Sequence, residues 1–258
     1  MAKEITVPEK TAELLRTLAA RYETASFEDG DPIQFLRGTH DPADCETTGF
    51  VAASLSYGSR KQFLPKIAEI TKMAGGNVHR WILDGDYAER FSADDTSSFY
   101  RLFSHALMRR LFDRLRETLQ AHGTIGEYLR GQGATDGLSA VKALCGAFCG
   151  CAAPAVPCDA TSACKRLCMF LRWMVRDGSP VDAGLWSGWF DKRTLIMPLD
   201  VHVMRQAKRL GLLAGGSPSM ATALRLTKTL ATVFPDDPLK GDFALYGLGV
   251  DTTDSPES

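Results

Sequence analysis

Apolar residues recur at intervals of three and four along most of the chain, the spacing that places them on one face of an α-helix. The longest example is the segment 94–120, where an apolar stripe from Phe99 to Leu119 lies opposite several arginines. The same spacing, interrupted at glycines and prolines, predicts further helices over residues 9–22, 44–57, 60–73, 139–148, 162–177, 200–210, 217–233 and 239–246. No segment alternates apolar and polar positions over more than four residues, so the pattern predicts an all-α protein.

Length and composition indicate one large helical body. With 258 residues, 45% of them apolar, the chain can bury a sizeable core, and we predict a single domain over residues 1–250 followed by a flexible acidic tail over 251–258. No apolar run approaches the roughly 18 residues that cross a bilayer. The N-terminus lacks the apolar stretch of a signal peptide. We therefore expect a cytoplasmic protein that does not contact a membrane.

Positive charge is concentrated in one part of the chain. The formal net charge is −1, yet residues 161–209 contain nine basic residues and four acidic ones. Such a concentration is typical of a nucleic-acid-binding surface, and a merely solvated basic face would give the same count. Composition leaves both interpretations open.

Six of the seven cysteines lie close together in the sequence, and we expect reduced thiols because no secretory signal is present. None of them forms the C-x-x-C pair typical of zinc and iron–sulfur sites. We predict that they serve as small core residues and hold no metal. A metal-binding or redox protein built on this cluster remains the alternative. The six are Cys145, Cys149, Cys151, Cys158, Cys164 and Cys168.

The densest signal for chemistry is the segment 196–213, IMPLDVHVMRQAKRLGLL. Asp200 starts a predicted helix there, and backbone N–H groups together with the helix dipole stabilise a carboxylate at that position. An aspartate before a helix is usually an N-cap, which contributes about 1 kcal/mol. The neighbouring residues indicate a more specific role.

This segment resembles the motif that ends the catalytic core of the helix-hairpin-helix DNA glycosylases, roughly P-V-D-T-H-V-x-R followed by R-L-G-L. The matching positions here are Pro198, Asp200, His202, Val203, Arg205 and the run 209–212. The longer pattern, with CKRLCMFLRWMVRDG upstream and DPLKGDFALYGLGV near the C-terminus, resembles a bacterial family of unassigned function close to the archaeal-type 8-oxoguanine DNA glycosylases. The resemblance implies a two-lobed helical fold with a cleft between the lobes.

The resemblance also implies two catalytic residues. Asp200 takes the place of the catalytic carboxylate, and Lys165, three residues after the predicted N-cap Ser162, takes the place of the nucleophilic lysine. A free lysine is protonated at neutral pH, and a helix start, neighbouring cations and partial burial favour the neutral amine. The alternative for Lys165 is a solvated basic face. The interval between the two residues is longer than is usual in the superfamily and closer to that of the archaeal enzymes, so the resemblance points to oxidised guanine as the first substrate to test.

Binding residues are predicted from the needs of base excision. A glycosylase extrudes a base from the stack and holds it against aromatic rings, and cations contact the phosphates. The usual hairpin Leu-Pro-Gly-Val-Gly-x-Lys is absent upstream of Lys165, so the phosphate contacts must differ from those of the superfamily. For each tryptophan, core packing is the alternative. The predicted base pocket is Trp173, Trp186, Trp189 and Tyr57, and the predicted DNA contacts are Lys192, Arg193, His202, Arg205, Arg60 and Lys61.

The resemblance thus implies a DNA glycosylase with AP-lyase activity that removes 8-oxoguanine from damaged DNA. We expect a monomer. We also expect no cofactor, because no cysteine follows Asp200, where some superfamily members carry an iron–sulfur cluster. Two alternatives stay open: a helical nucleic-acid-binding module without catalytic activity, and a cysteine-rich metal-binding protein.

Overall fold

The computed structural model describes residues 5–39, 41–151 and 153–253. The described residues are predominantly helical, which confirms the predicted all-α class. In chain order the helices are α1 (Glu9–Tyr22), α2 (Pro42–Leu55), α3 (Arg60–Met73), α4 (Val78–Asp84), α5 (His105–His122), α6 (Ile125–Gly131), α7 (Gly137–Phe148), α8 (Lys165–Val175), α9 (Val201–Arg209), α10 (Met220–Ala231) and α11 (Lys240–Thr253). Two short strands, β1 (Ser98–Tyr100) and β2 (Phe103–Ser104), form an antiparallel pair before α5.

The chain forms two compact units. Of the described residues, the first unit combines 5–27 with 161–253, and the second contains those between 28 and 160. The first unit therefore holds α1 and α8 to α11, and the second holds α2 to α7 with the two strands. The single domain expected over residues 1–250 stays a prediction. Helix α11 includes residues 251–253 of the expected tail, and residues 254–258 lie outside the described part of the chain.

In the first unit, α11 packs along α1 and also contacts α9. The crossing with α1 is close: a Cβ atom at Gly247 would lie 2.1 Å from Cδ2 of Tyr22. Because real Cβ contacts do not reach such a distance, only glycine allows the two helices to approach this far. The close packing fixes α11, which carries Asp242, a residue near the site described below, in its first turn.

In the second unit, the structure corrects the long helix predicted over 94–120. Helix α5 begins only at His105, because the Ser104 hydroxyl accepts a hydrogen bond from the N–H of Leu107 at 3.1 Å and caps the helix. Arg101 has a φ of 50° and turns the chain between β1 and β2. The apolar residues at positions 99 and 103 are buried as members of the strands. Their spacing of four residues, which suggested a helix, therefore arises from a β-hairpin.

The remaining predicted helices are present, and two match their expected bounds, α1 and α3. Sequence reasoning missed α4 and α6, which are seven residues long and too short for an apolar period to show. Each is started by a side chain that accepts a backbone hydrogen bond, Asn77 in α4 and Thr124 in α6. None of the helices in the described ranges is long and apolar enough to cross a membrane.

Candidate active site

Asp200 is the N-cap of α9, as the sequence predicts. Its backbone is extended, with φ −123° and ψ −176°, and its Oδ1 accepts hydrogen bonds from the N–H groups of His202 at 2.9 Å and Val203 at 2.8 Å. These two bonds satisfy donors that have no partner within the helix. They fix the orientation of the carboxylate and leave Oδ2 directed away from the helix end.

Lys165 binds the second oxygen of this carboxylate. Its Nζ donates a hydrogen bond to Oδ2 of Asp200 at 2.7 Å. The side chains of the two residues are 42% and 26% exposed, respectively, so the pair is reachable from solvent without being fully hydrated. The structure therefore brings together the two residues that the sequence singled out. Lys165 is not part of an unpaired basic face.

The start of α8 differs from the prediction. Ser162 is not the N-cap, because its backbone pairs with Ser219 in an isolated β-bridge and the N–H of Met220 donates to the carbonyl of Thr161 at 3.1 Å. The N-cap is Cys164, whose φ of 45° and ψ of 38° lie in the left-handed region. That conformation costs a residue with a side chain about 1 kcal/mol. The turn makes Lys165 the first residue of the helix.

The electrostatics of the pair favour an ionised Asp200. Partial burial raises the pKa of this carboxyl, but the charge of Lys165, its hydrogen bond and the N–H of Val203 together outweigh burial. The net result is a pKa below the usual value. Asp200 is therefore a carboxylate at neutral pH, fixed by a helix end and facing a primary amine.

Asp242 is a third ionisable residue near the pair, and sequence reasoning missed it. It lies in the first turn of α11, and its Oδ2 accepts a hydrogen bond from Arg172. Burial raises the pKa of Asp242 above the usual value in spite of the charges of Arg172 and Lys165, and the charge of Asp200 adds to the increase. Asp242 is thus within electrostatic range of both members of the pair. The only sequence signal was an acid early in a mostly apolar helix.

Two arginines of the predicted basic segment lie in the core. Arg172 is 3% exposed and Arg176 is 0% exposed, because Arg172 in α8 and Arg176, the residue that caps the end of α8, both extend into the interior of the first unit. A buried guanidinium requires carboxylate partners, and a network of acids supplies them. The ion pairs are Arg172 with Asp182 and Asp242, and Arg176 with Asp182, Asp237 and Glu23. These arginines therefore belong to a structural network, and the positive surface is smaller than the sequence count indicates.

The predicted DNA contacts differ in their surroundings. Lys192 is paired with Asp177 at 2.6 Å and Arg193 with Asp191 at 2.7 Å, so local acids already neutralise both cations. By contrast, His202 and Arg205 lie on the exposed face of α9, next to the cap formed by Asp200.

The other two predicted contacts, Arg60 and Lys61, begin α3 in the second unit. Arg60 is paired with Asp31 at 3.4 Å, and Lys61 is exposed. Their contact with DNA stays a prediction.

The aromatic residues of the predicted base pocket also differ in their exposure to solvent. Trp173 is 0% exposed and Trp186 is 2% exposed, so both are core residues and cannot stack on a base without rearrangement. Trp189 is partly exposed and lines a cavity of about 450 Å³ together with Lys192 and Arg193. Tyr57 is 41% exposed and belongs to the second unit. The base pocket stays a prediction, and among these tryptophans Trp189 is the accessible one.

The cysteine prediction is only partly correct. Cys145, Cys164 and Cys168 are buried, as expected for small core residues, whereas Cys149 and Cys158 are exposed and Cys151 is intermediate. The exposed ones follow α7 in a segment of turns, in which Ala155 and Val156 are the apolar side chains that are buried. Within the described ranges, no three His, Cys, Asp or Glu side chains are arranged to hold a metal ion.

Fold and site together define a predominantly helical protein in which a lysine and an aspartate pair at the starts of two helices. The chain belongs to the family described as Protein of unknown function (DUF2400), whose model matches residues 31–251. No curated protein and no solved structure matches the chain. Because the family description assigns no activity, function must be inferred from the site.

Proposed function

We propose that this protein is a base-excision DNA glycosylase with AP-lyase activity, acting as a monomer on DNA in the cytoplasm, and that its first substrate to test is 8-oxoguanine. The observation that carries the proposal is the 2.7 Å contact between Nζ of Lys165 and Oδ2 of Asp200. A two-lobed glycosylase-like fold with a cleft belongs to the same proposal. The presence of two compact helical units supports it.

The proposed reaction assigns one role to each residue of the pair. The amine of Lys165, once it has lost a proton, attacks C1′ of the damaged nucleotide while the glycosidic bond breaks and the base leaves with its electron pair. Asp200 holds the amine in place through their hydrogen bond and stays ionised, so that its negative charge stabilises the positive charge that develops on the sugar. The proton of the lysine passes to the departing base, which takes it up with the electron pair of the broken bond. The C1′–O4′ bond of this adduct then opens, with transfer of the second amine proton to O4′, and gives the Schiff base. Removal of a proton from C2′ allows β-elimination, which breaks the C3′–O bond and expels the 3′ phosphate group.

The fixed geometry of Asp200 supports this assignment. Two backbone N–H groups hold Oδ1, so the carboxylate does not have to be oriented when the substrate arrives. Its lowered pKa keeps it ionised at neutral pH. An ordinary cap requires only Oδ1, so the amine on Oδ2 is the feature that points to chemistry.

Borohydride trapping tests the proposal directly. A duplex oligonucleotide with a single 8-oxoguanine is incubated with the protein and sodium borohydride, which reduces a Schiff base to a stable protein–DNA adduct. We expect an adduct with the unchanged protein and none with Lys165→Ala. The matched control is Lys66→Ala, which also removes a lysine–carboxylate pair, the 2.9 Å contact with Glu69, but lies in the second unit. The Lys66→Ala variant should form the protein–DNA adduct to the same extent as the unchanged protein.

The same experiment separates the enzyme from its main alternative. If the unchanged protein forms no adduct and releases no base from a panel of single-lesion duplexes, yet binds DNA, the helical binding module is the correct description. The exposed basic face of α9, with His202 and Arg205, is the observation that favours this second candidate.

A further inference from the structure

Two exposed cysteines lie next to each other in the segment that follows α7. Cys149 is the C-terminal cap residue of that helix, and Cys158 comes back to it after a series of turns. The N–H of Gly150, the residue after Cys149, donates a hydrogen bond to Sγ of Cys158 at 3.3 Å. The thiol of Cys149 donates a second hydrogen bond to the same sulfur. The two sulfurs are therefore direct neighbours at the surface of the second unit.

The two thiols are chemically unequal. The hydrogen bonds from Cys149 and Gly150 lower the pKa of Cys158, although the charge of Asp159 acts against them. Donating the hydrogen bond raises the pKa of Cys149, and burial and neighbouring charges add to that increase. The backbone N–H of Gly150 that donates to Sγ of Cys158 at 3.3 Å stabilises a thiolate there. Since the thiolate is the reactive form of cysteine, we assign Cys158 as the nucleophile of this pair and Cys149 as the thiol beside it.

The other cysteines of the cluster are arranged differently. Cys151 donates its thiol hydrogen to the carbonyl of Phe148 at 3.1 Å, and Cys145, Cys164 and Cys168 are buried. Burial raises the pKa of Cys168, which makes it inert. Accessibility and contact with a second thiol thus occur together at Cys149 and Cys158.

We propose that Cys149 and Cys158 form a site of reversible thiol oxidation by peroxides. The thiolate of Cys158 attacks one oxygen of hydrogen peroxide, the O–O bond breaks, and hydroxide leaves and takes up a proton to become water. Cys158 is then a sulfenic acid. The sulfur of Cys149 attacks it, loses its proton, and displaces the hydroxyl group as a second water. One peroxide is reduced and two thiols become one disulfide.

The geometry requires little movement for this step. A disulfide bond is about 2 Å long, and two sulfurs joined by a hydrogen bond need only side-chain rotation and a small backbone shift to reach it. Both cysteines are themselves exposed, Cys149 at the end of α7 and Cys158 after the buried residues Ala155 and Val156, so the shift can be made by the two cysteines without moving a buried side chain of their own. The site lies in the second unit, so it does not depend on the function proposed for Lys165 and Asp200.

Thiol counting and mass spectrometry test the proposal on the full chain. The reduced protein is treated with increasing hydrogen peroxide, remaining thiols are blocked with N-ethylmaleimide, and thiols released by dithiothreitol are labelled with iodoacetamide. We expect two of the seven thiols to be lost first, with a mass decrease of two hydrogens. Fragment spectra should place the iodoacetamide label on Cys149 and Cys158.

Three serine variants assign the roles. Cys158→Ser should prevent this first oxidation, and Cys149→Ser should leave a sulfenic acid on Cys158 that dimedone traps. Cys151→Ser, the matched control in the same segment, should form the disulfide as the unchanged chain does. Peroxide consumption without any disulfide, a disulfide that uses Cys151, or a disulfide between two chains would each overturn the proposal.

Discussion

Two aspartates, Asp200 and Asp136, begin helices in nearly the same way. Both have an extended backbone, and each accepts hydrogen bonds on Oδ1 from the second and third helical N–H groups at 2.8–2.9 Å. In α7 the third helical residue is Ser139, whose hydroxyl completes a capping box with Asp136. In α9 that position is Val203, which cannot return a hydrogen bond. The partner of Asp200 is Lys165, which comes from another helix.

This difference is the criterion by which we separate a purely structural carboxylate from one that we propose to act in chemistry. The cap of α7 is complete within its own helix, so its interactions stabilise only local structure. The cap of α9 presents a second oxygen to an amine that is distant in sequence. Helix capping accounts for the aspartate in both helices. It does not account for the lysine that contacts Asp200. We therefore propose a chemical role for the cap of α9 and a structural role for the cap of α7.

The largest expected effect is on base release. Asp200→Asn keeps a hydrogen-bonding cap but removes the negative charge that faces Lys165, so single-turnover release of 8-oxoguanine should slow by about 100-fold or more. Asp136→Asn makes the same chemical change in the other cap and should leave the rate unchanged. Equal rates for the two variants would show that Asp200 is only a cap.

The second effect concerns DNA binding and compares the helices that follow the two caps. Arg205 is exposed on α9, and Lys142 is exposed on α7. Arg205→Ala should weaken binding at low salt and lower the slope of log affinity against log salt by about 1. Lys142→Ala should change neither quantity. The check is fluorescence anisotropy at several salt concentrations, and a similar loss for both variants would place the DNA elsewhere.

The third prediction concerns stability: the loss of unfolding free energy should be the same for both caps. Asp200→Ala and Asp136→Ala each remove two hydrogen bonds from a helix start, which costs about 1 kcal/mol of unfolding free energy. Urea unfolding followed by circular dichroism measures this. If Asp200→Ala costs several kcal/mol more than Asp136→Ala, the pair with Lys165 is mainly a structural ion pair, against our interpretation.

The smallest expected effect is the pH dependence of the ion pair. The pKa of Asp200 lies below its usual value of 3.8, so the stabilisation is present above pH 3.8 and disappears as pH falls through the lowered pKa. Because the pair is partly exposed, its contribution should be below about 1 kcal/mol. The difference in unfolding free energy between the unchanged protein and Lys165→Ala should be constant near neutral pH and shrink in acid. A difference that grows in acid would contradict this.

Sequence reasoning succeeded where the determinants are local. The cap at Asp200 could be predicted because its acceptor and donors are within three residues. The start of α8 could not, because the β-bridge between Ser162 and Ser219 connects residues that are distant in sequence. The start of α5 was missed because the strands that precede it are too short to establish an alternating pattern of apolar and polar residues.

The candidate site was predictable only in part. Lys165 was selected by resemblance to a family motif, since nothing in its own segment shows which carboxylate it contacts. The burial of Arg172 and Arg176 depends on four acids in three separate segments, which no local pattern reveals. Asp242 was missed because its proximity to Lys165 and Asp200 arises from the packing of α11.

The most direct test of the account is to locate the residue that carries the DNA in a borohydride-trapped complex. The adduct formed on an 8-oxoguanine duplex is digested with protease and nuclease, and the modified peptide is sequenced by mass spectrometry. We predict that the reduced sugar fragment lies on Nζ of Lys165, the amine that contacts Asp200 in the structure. An adduct on another lysine or on the N-terminal amine would contradict the assignment of this pair as the active site.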